Sequence, residues 1–140
     1  EIGVRGDLKV DEHHTVEDTA IVLGECFAKA LGSKKGIERY GFALPMDDAK
    51  AEVLLDFGGR TWLEWGVTLK REYVGDFPTE MARHFFASFC QSGLCNLHIS
   101  AQGENTHHIL EAVFKAFARA VRQAIRQTGG GIPSSKGCLA

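Results

Sequence analysis

The feature that most constrains this fold is a histidine motif that occurs twice. The two copies are His13-His14-x-x-Glu17 and His107-His108-x-x-Glu111. Their histidine and glutamate positions are separated by the same distance in the chain (107 − 13 = 94 and 111 − 17 = 94). Each copy follows a predicted strand and turn and opens an amphipathic helix. This repeat predicts two similar half-domains, each a small sheet with helices on one face, which is an α+β fold.

Hydrophobic periodicity and turn residues predict the order of the elements. The predicted elements are a strand over 2–10, a helix over 13–31, a hairpin of strands 49–57 and 60–71 joined at Gly58-Gly59, a helix that starts near 76–79 and ends at Gly93, a strand over 94–101, a helix over 106–127 and an irregular tail. Because the chain opens on what resembles a strand already under way, we expect a piece of a longer protein with an incomplete first half. We predict one domain, with about 1–45 as the remainder of the first half and about 46–140 as the second half and C-terminal loop.

Composition and charge limit the partners. The chain has 44% hydrophobic and 24% charged residues, as ordinary globular domains do, and no apolar run near the ~20 residues that span a bilayer. Its formal net charge of −2 provides no overall basic field, so we expect neither a nucleic acid nor a membrane partner. The four cysteines form no C-x-x-C pair and are interpreted as reduced thiols, which favours a cytoplasmic location.

The repeated motif indicates metal binding. Residues three and four apart share one helix face, so each glutamate lies beside its histidines, whereas adjacent histidines diverge by about 100° and suit two metals on opposite sides. The sites could form by exchange between halves or between subunits. His84, on the second helix, is a further candidate ligand. Imidazole and carboxylate ligands suit Mn, Fe, Co, Ni or Zn. The alternative is that the histidines are ordinary solvated surface residues.

A set of basic residues, scattered along the sequence, could bind an anion. Its members are Arg39, Arg60, Lys115 and Lys136. Each taken alone is typical of a solvated surface charge. The C-terminal loop combines Ser134, Ser135 and Lys136 with free backbone N–H groups, which suits a phosphate. Composition alone does not bring these groups together.

Several segments resemble the imidazoleglycerol-phosphate dehydratase family over essentially the whole chain. They are Asp11-Glu12-His13-His14-Thr15-Val16-Glu17-Asp18, Gly36-Ile37-Glu38-Arg39-Tyr40-Gly41, Val74-Gly75-Asp76, His84-Phe85-Phe86, Asn105-Thr106-His107-His108-Ile109-Leu110-Glu111-Ala112, Phe114-Lys115-Ala116-Phe117-Ala118-Arg119-Ala120 and Ile132-Pro133-Ser134-Ser135-Lys136-Gly137. The resemblance implies a duplicated half-domain of four strands and two helices, similar to domain 2 of ribosomal protein S5. It also implies dehydration of imidazole glycerol phosphate to imidazole acetol phosphate in histidine biosynthesis, through an imidazolate held by two Mn²⁺ ions per active site. The implied assembly is a 24-subunit homo-oligomer built from trimers, with sites between subunits, in the cytoplasm or, in a plant, the plastid stroma.

The same resemblance implies roles for individual residues. One metal would take His13, His84, His107 and Glu111; the other would take His14, Glu17, His108 and a histidine from a segment outside this chain. The substrate phosphate would be bound by Arg39, Arg60, Ser134 and Lys136, with Lys115 close by. Carboxylates that could move protons are Glu17, Glu111 and Asp47.

Two other functions are consistent with the motifs. One is a non-catalytic shell protein assembled by metal, which would have no need for a phosphate-binding set near the metals. The other is a metal-dependent phosphohydrolase, which would release inorganic phosphate, whereas a dehydratase would not. For a dehydratase, we expect activity to fall below about pH 6 as the ligating imidazoles become protonated.

Overall fold

The computed structural model describes residues 1–41 and 44–139. The helices are α1 (His13–Leu31), α2 (Glu80–Gly93) and α3 (Thr106–Ala124); the strands are β1 (Tyr40–Gly41), β2 (Leu44–Met46), β3 (Ala49–Asp56), β4 (Trp62–Val67), β5 (Tyr73–Val74), β6 (Phe77–Pro78) and β7 (Asn96–Gln102). Across the described residues, no helix combines the length and the apolar character needed to cross a membrane. The predicted α+β class is confirmed, and the three helices begin and end close to their predicted bounds.

The main sheet has five strands and is mixed. Its order is β1-β3-β7-β4, with β2 also paired to β3. Strand β7 runs antiparallel to β3 and parallel to β4. Side chains that alternate along β3 and β7 are buried on one face; they include Val53, Leu55, Leu97 and Ile99. This alternation is the period-two pattern of a sheet with one covered face.

The predicted hairpin at Gly58-Gly59 is wrong. Strands β3 and β4 are not neighbours, because β7 lies between them and pairs with both. The connection instead passes the start of β7, where the Gly59 N–H donates to the Leu94 carbonyl at 3.0 Å. The tight turn on this sheet is Asp47-Asp48, which joins β2 to β3 with Met46 opposite Ala49. Asp47 adopts a left-handed conformation (φ 46°), as two-residue hairpin turns require.

The predicted strand over 2–10 is also wrong. The structure places no strand in this segment, and Ile2, Val4, Leu8 and Val10 are all exposed. A strand needs a partner edge for its N–H and C=O groups, and here the segment runs beside α1, where Gly6 lies against Thr15. Within the described residues every strand lies between Tyr40 and Gln102. Strands β1 and β2 pair with β3 in the main sheet, whereas β5 and β6 form a separate two-stranded sheet.

The helices are held by an aromatic core. Phe86 is fully buried, with ring-centroid distances of 5.0 Å to Phe114 and 5.2 Å to Phe117. Helix α1 packs closely on α2, since a Cβ on Gly24 would lie 2.1 Å from the Ser92 hydroxyl oxygen. Because Gly24 meets Ser92 and His13 meets His84, the two helices run in the same direction and their N-terminal parts lie side by side.

Candidate metal centre and anion-binding loop

Three predicted metal ligands meet where α1 packs on α2. Their potential ligand atoms, from His13, Glu17 and His84, all lie within 4.8 Å of one another. The His13 Nε2 atom is 3.8 Å from Glu17 Oε2, and the His13 and His84 ring centroids are 4.8 Å apart. His13 and Glu17 are half-buried and His84 is exposed, so the group opens to solvent. Two imidazoles and a carboxylate this close together fit a first-row divalent cation.

The second motif forms a separate group on α3. Here His107 Nε2 lies 3.3 Å from Glu111 Oε2, and Lys115 Nζ lies 2.7 Å from Glu111 Oε1. The hydrogen bond from Lys115 is the main cause that lowers the pKa of Glu111, with smaller contributions from the Lys115 charge and from His107. A shallow groove of about 350 Å³ adjoins this pair and is lined also by Val74, Phe77, Leu110 and Phe114. The lowered pKa favours the carboxylate form of Glu111, which is the form that binds metal.

Among the described residues of one chain, the ligand groups of the two motifs lie at separate places. The structure brings His84 to His13, as the resemblance implies, but His107 and Glu111 are not in that three-residue group. Glu17 contacts His13, whereas the resemblance assigns Glu17 to the same metal as His14. The implied ligand sets therefore stay predictions, and they require a second copy of the chain or a segment outside it.

The two histidines of each pair have different surroundings. The ring planes are close to perpendicular, at 80° for His13 and His14 and 74° for His107 and His108. His14 lines a cavity of about 980 Å³ between α1 and residues 1–7. His108 contacts Asp48 through Nδ1, and this hydrogen bond is the main cause that raises the pKa of His108. The divergence of adjacent histidines leaves each pair able to serve two metals.

Arg39 joins the predicted anion-binding loop to the rest of the fold. Its Nε and Nη2 atoms donate to the two oxygens of Asp56 at 2.5 and 2.9 Å, and Nη1 donates to the Pro133 carbonyl at 2.8 Å. In the loop itself, the Lys136 backbone N–H donates to Ser134 Oγ at 3.2 Å. The structure therefore places Arg39 against the loop that carries Ser134 and Lys136, and gives Arg39 a carboxylate partner that the sequence did not indicate.

The other predicted site residues lie on other parts of the chain. Arg60 is exposed in the connection after β3, and Lys115 lies on α3 beside Glu111. Asp47 is exposed in the turn between β2 and β3. Asp48, its neighbour, was not singled out by the sequence pattern, although an acidic pair between two strand-like segments is itself a turn signal.

The fold and the site define an α+β domain whose helices present histidine and carboxylate pairs near their N-terminal ends and whose C-terminal loop is suited to a phosphate. Residues 1–121 match the family model for imidazoleglycerol-phosphate dehydratase, and the chain belongs to that family.

Two relatives, each called histidine biosynthesis bifunctional protein HisB, are similar over 99% of the chain. The protein of Spirosoma linguale is 56% identical over 141 residues, and that of Bacteroides fragilis is 58% identical over 140 residues. The chain spans 37% of the length of each of these relatives.

Solved structures of the family share the fold. Imidazoleglycerol-phosphate dehydratase from Staphylococcus aureus superposes with a TM-score of 0.83 at 38% identity, over 90% of this chain and 72% of that one. The enzyme from Pyrococcus furiosus, in complex with (S)-C348, gives 0.81 at 32% identity, over 91% and 72% of the two chains.

Proposed function

We propose that the protein removes water from imidazole glycerol phosphate to give imidazole acetol phosphate, a step of histidine biosynthesis. The observation that carries this proposal is the meeting of His13, Glu17 and His84 at the ends of two packed helices, in a chain of this family. The names of its relatives, which refer to histidine biosynthesis, support the same pathway.

The proposed cofactor is Mn²⁺, with two ions in each active site. His13, His84, His107 and Glu111 would hold one ion, and His14, Glu17 and His108 would hold the other together with a histidine from outside this chain. Bound metal would act as a Lewis acid toward the imidazole ring and help it to accept negative charge. Glu17 lies three and four residues from the two histidines of its pair, so it can lie beside either of them.

The proposed assembly is a homo-oligomer, a 24-mer built from trimers, with sites shared between subunits. Supporting this, the group on α1 and α2 and the group on α3 each contain only part of a ligand set within one chain. The proposed location is the cytoplasm, or the plastid stroma if the source is a plant. The four cysteines are unpaired, as in a reducing compartment.

The chain's own residues would bind the substrate and move its protons. A carboxylate of Glu17 or Glu111 would take the proton from carbon 2 of the glycerol chain. Asp47 is the candidate acid that would protonate the hydroxyl leaving carbon 3 as water, and the resulting enol would become the ketone.

The phosphate would be held by the residues that surround the C-terminal loop. Supporting this, Arg39 donates to the Pro133 carbonyl next to Ser134, and the Lys136 backbone N–H donates to Ser134 Oγ. Arg60 and Lys115 would complete the set. The Arg39 backbone N–H donates to the Ala124 carbonyl at the end of α3, whereas His107 lies at the start of that helix. A phosphate bound at this loop would therefore present the reacting carbons to the metal-binding groups of a neighbouring subunit.

The test is turnover by the full-length protein loaded with Mn²⁺. Imidazole glycerol phosphate is added, the organic product is identified by mass spectrometry, and inorganic phosphate is measured in parallel. We expect loss of one water from the substrate without phosphate release. Release of inorganic phosphate indicates a phosphohydrolase, and bound metal with neither reaction indicates a shell protein; either result contradicts the proposal.

A further inference from the structure

Asp48 connects three parts of the fold through a single carboxylate. It occupies the turn between β2 and β3, where Met46 lies opposite Ala49. One oxygen, Oδ2, accepts the backbone N–H groups of Glu104 and Asn105 at 2.8 and 3.0 Å. The other, Oδ1, contacts Nδ1 of His108. The turn, the start of α3 and a histidine of the repeated motif therefore meet at this side chain.

The local backbone allows this approach because residue 103 is glycine. A Cβ on Gly103 would lie 2.9 Å from the Cβ of Ala49 and 3.0 Å from Cγ1 of Ile109. Any larger residue would force the β7–α3 connection away from the start of β3. Asn105 then begins α3 by accepting the His107 backbone N–H at 2.9 Å. The start of α3, which carries both histidines, is therefore fixed from two sides.

The contact to Asp48 selects which nitrogen of His108 is free. A neutral imidazole has one N–H, and a carboxylate beside Nδ1 places that hydrogen on Nδ1. Nε2 is then the unprotonated nitrogen and can bind a metal. Carboxylates that hold histidine ligands in this way fix the orientation of the ring and increase its basicity.

We propose that Asp48 is a positioning residue, which holds the His108 ring so that Nε2 faces the metal while it anchors the start of α3. This inference rests on the proposed function in one respect, namely that His108 binds a metal. The geometry that carries it is that Oδ2 accepts the backbone N–H groups at the start of α3 while Oδ1 contacts His108. Asp48 itself would not contact the metal or the substrate.

The chain offers a matched control on the same loop. Glu104 carries the same charge as Asp48 and is exposed, and its contact with Asp48 is made by its backbone N–H. Glu104→Gln therefore removes one negative charge from this region but leaves the hydrogen bonds to Asp48 in place. Any effect of Asp48→Asn that Glu104→Gln does not share is due to the direct contact between Asp48 and His108 and not to the general loss of one negative charge from this region.

The experiment measures Mn²⁺ binding to the full-length protein by electron paramagnetic resonance of the free ion. In Asp48→Asn, the amide N–H₂ can donate to Nδ1 of His108 and so favour the proton on Nε2, which blocks the metal. We expect Mn²⁺ to bind about 10- to 100-fold more weakly at one of the sites. Glu104→Gln should keep the affinity within about twofold, because an isolated exposed charge contributes little.

Asp48→Ser separates positioning from a purely structural role. In Asp48→Asn the amide oxygen still accepts the N–H groups of Glu104 and Asn105, whereas the serine of Asp48→Ser is too short to reach these groups or His108. A loss of Mn²⁺ affinity that is equal in the two variants therefore belongs to the contact with His108, and an additional loss of stability in Asp48→Ser belongs to the helix start. We expect Asp48→Ser to fold and to bind Mn²⁺ as weakly as Asp48→Asn. Wild-type Mn²⁺ affinity in folded Asp48→Ser or Asp48→Asn, even with a lower melting temperature, would overturn the proposal.

Turnover, measured separately, distinguishes this inference from the proposed function. If the wild-type protein binds Mn²⁺ but does not dehydrate the substrate, and Asp48→Asn still loses affinity, the positioning role stands and the proposed function fails. If the wild-type protein is active and Asp48→Asn binds Mn²⁺ normally, the proposed function stands and the positioning role fails.

Discussion

The ion pair between Arg39 and Asp56 leads to the most quantitative prediction. The two side chains are only 14% and 18% exposed, and they are joined by two hydrogen bonds of 2.5 and 2.9 Å. In Asp56→Ala the guanidinium stays largely buried without its counter-charge. Removal of one partner from a buried pair costs about 3–5 kcal/mol. Because both groups retain some contact with water, we expect the lower end, about 3 kcal/mol of unfolding free energy.

The measurement is denaturant unfolding of the full-length protein at one fixed protein concentration, since assembly makes stability depend on concentration. The matched control is Glu52→Ala, which removes a carboxylate from the same strand at an exposed position. We expect the control to change stability by less than about 0.5 kcal/mol. The melting temperature of Asp56→Ala should fall by about 6–12 °C, given about 2–4 °C for each kcal/mol in proteins of this size or somewhat larger.

A double-mutant cycle shows whether the two residues act as a pair. The structure predicts that Arg39→Ala and Asp56→Ala are strongly non-additive, with a coupling energy above about 1 kcal/mol, because each removes the same hydrogen bonds. Arg39 also donates to the Pro133 carbonyl, so either change should loosen the C-terminal loop and raise KM. Additive effects, or an Asp56→Ala variant as stable as Glu52→Ala, would refute this reasoning.

Three further predictions concern metal, phosphate and pH. His107→Ala should lower turnover by more than about 100-fold, which exceeds the usual loss when a residue that only supports a metal ligand is changed. It should also weaken assembly, as measured by light scattering. Full activity would remove His107 from the site. Lys136→Ala should raise KM by about tenfold or more with kcat little changed, because a hydrogen bond to a charged group contributes about 1.5–3 kcal/mol, and an unchanged KM would exclude it from the phosphate site. The Asp48 contact raises the pKa of His108, so the imidazole keeps its proton to higher pH. Mn²⁺ affinity should therefore fall as pH is lowered from about 8 to about 6. In the metal-free protein the sign is opposite, because the stability that His108 contributes is fully present below its unfolded pKa and is lost as pH rises through its folded pKa. Affinity independent of pH in a Mn²⁺ titration would contradict this assignment.

The sequence by itself determined the features that depend on local spacing. The three helices follow from apolar residues at steps of three and four, and the divergence of adjacent histidines follows from the helical rotation per residue. The pairing of His13 with Glu17 and of His107 with Glu111 follows from the same periodicity. These are contacts within one helix, and the sequence separation alone sets their distance.

Tertiary structure alone decided the contacts between distant segments. Gly58-Gly59 has the residues of a hairpin turn, yet β7 enters between the two strands, because its apolar alternation gives it a place at the centre of the sheet. The even spacing from Ile2 to Val10 is typical of a strand, but a strand forms only beside another edge. Asp48 and Asp56 likewise gain their roles from partners 60 and 17 residues away, His108 and Arg39. No local pattern encodes which distant side chain will be brought against a carboxylate; the packing of the whole chain selects it.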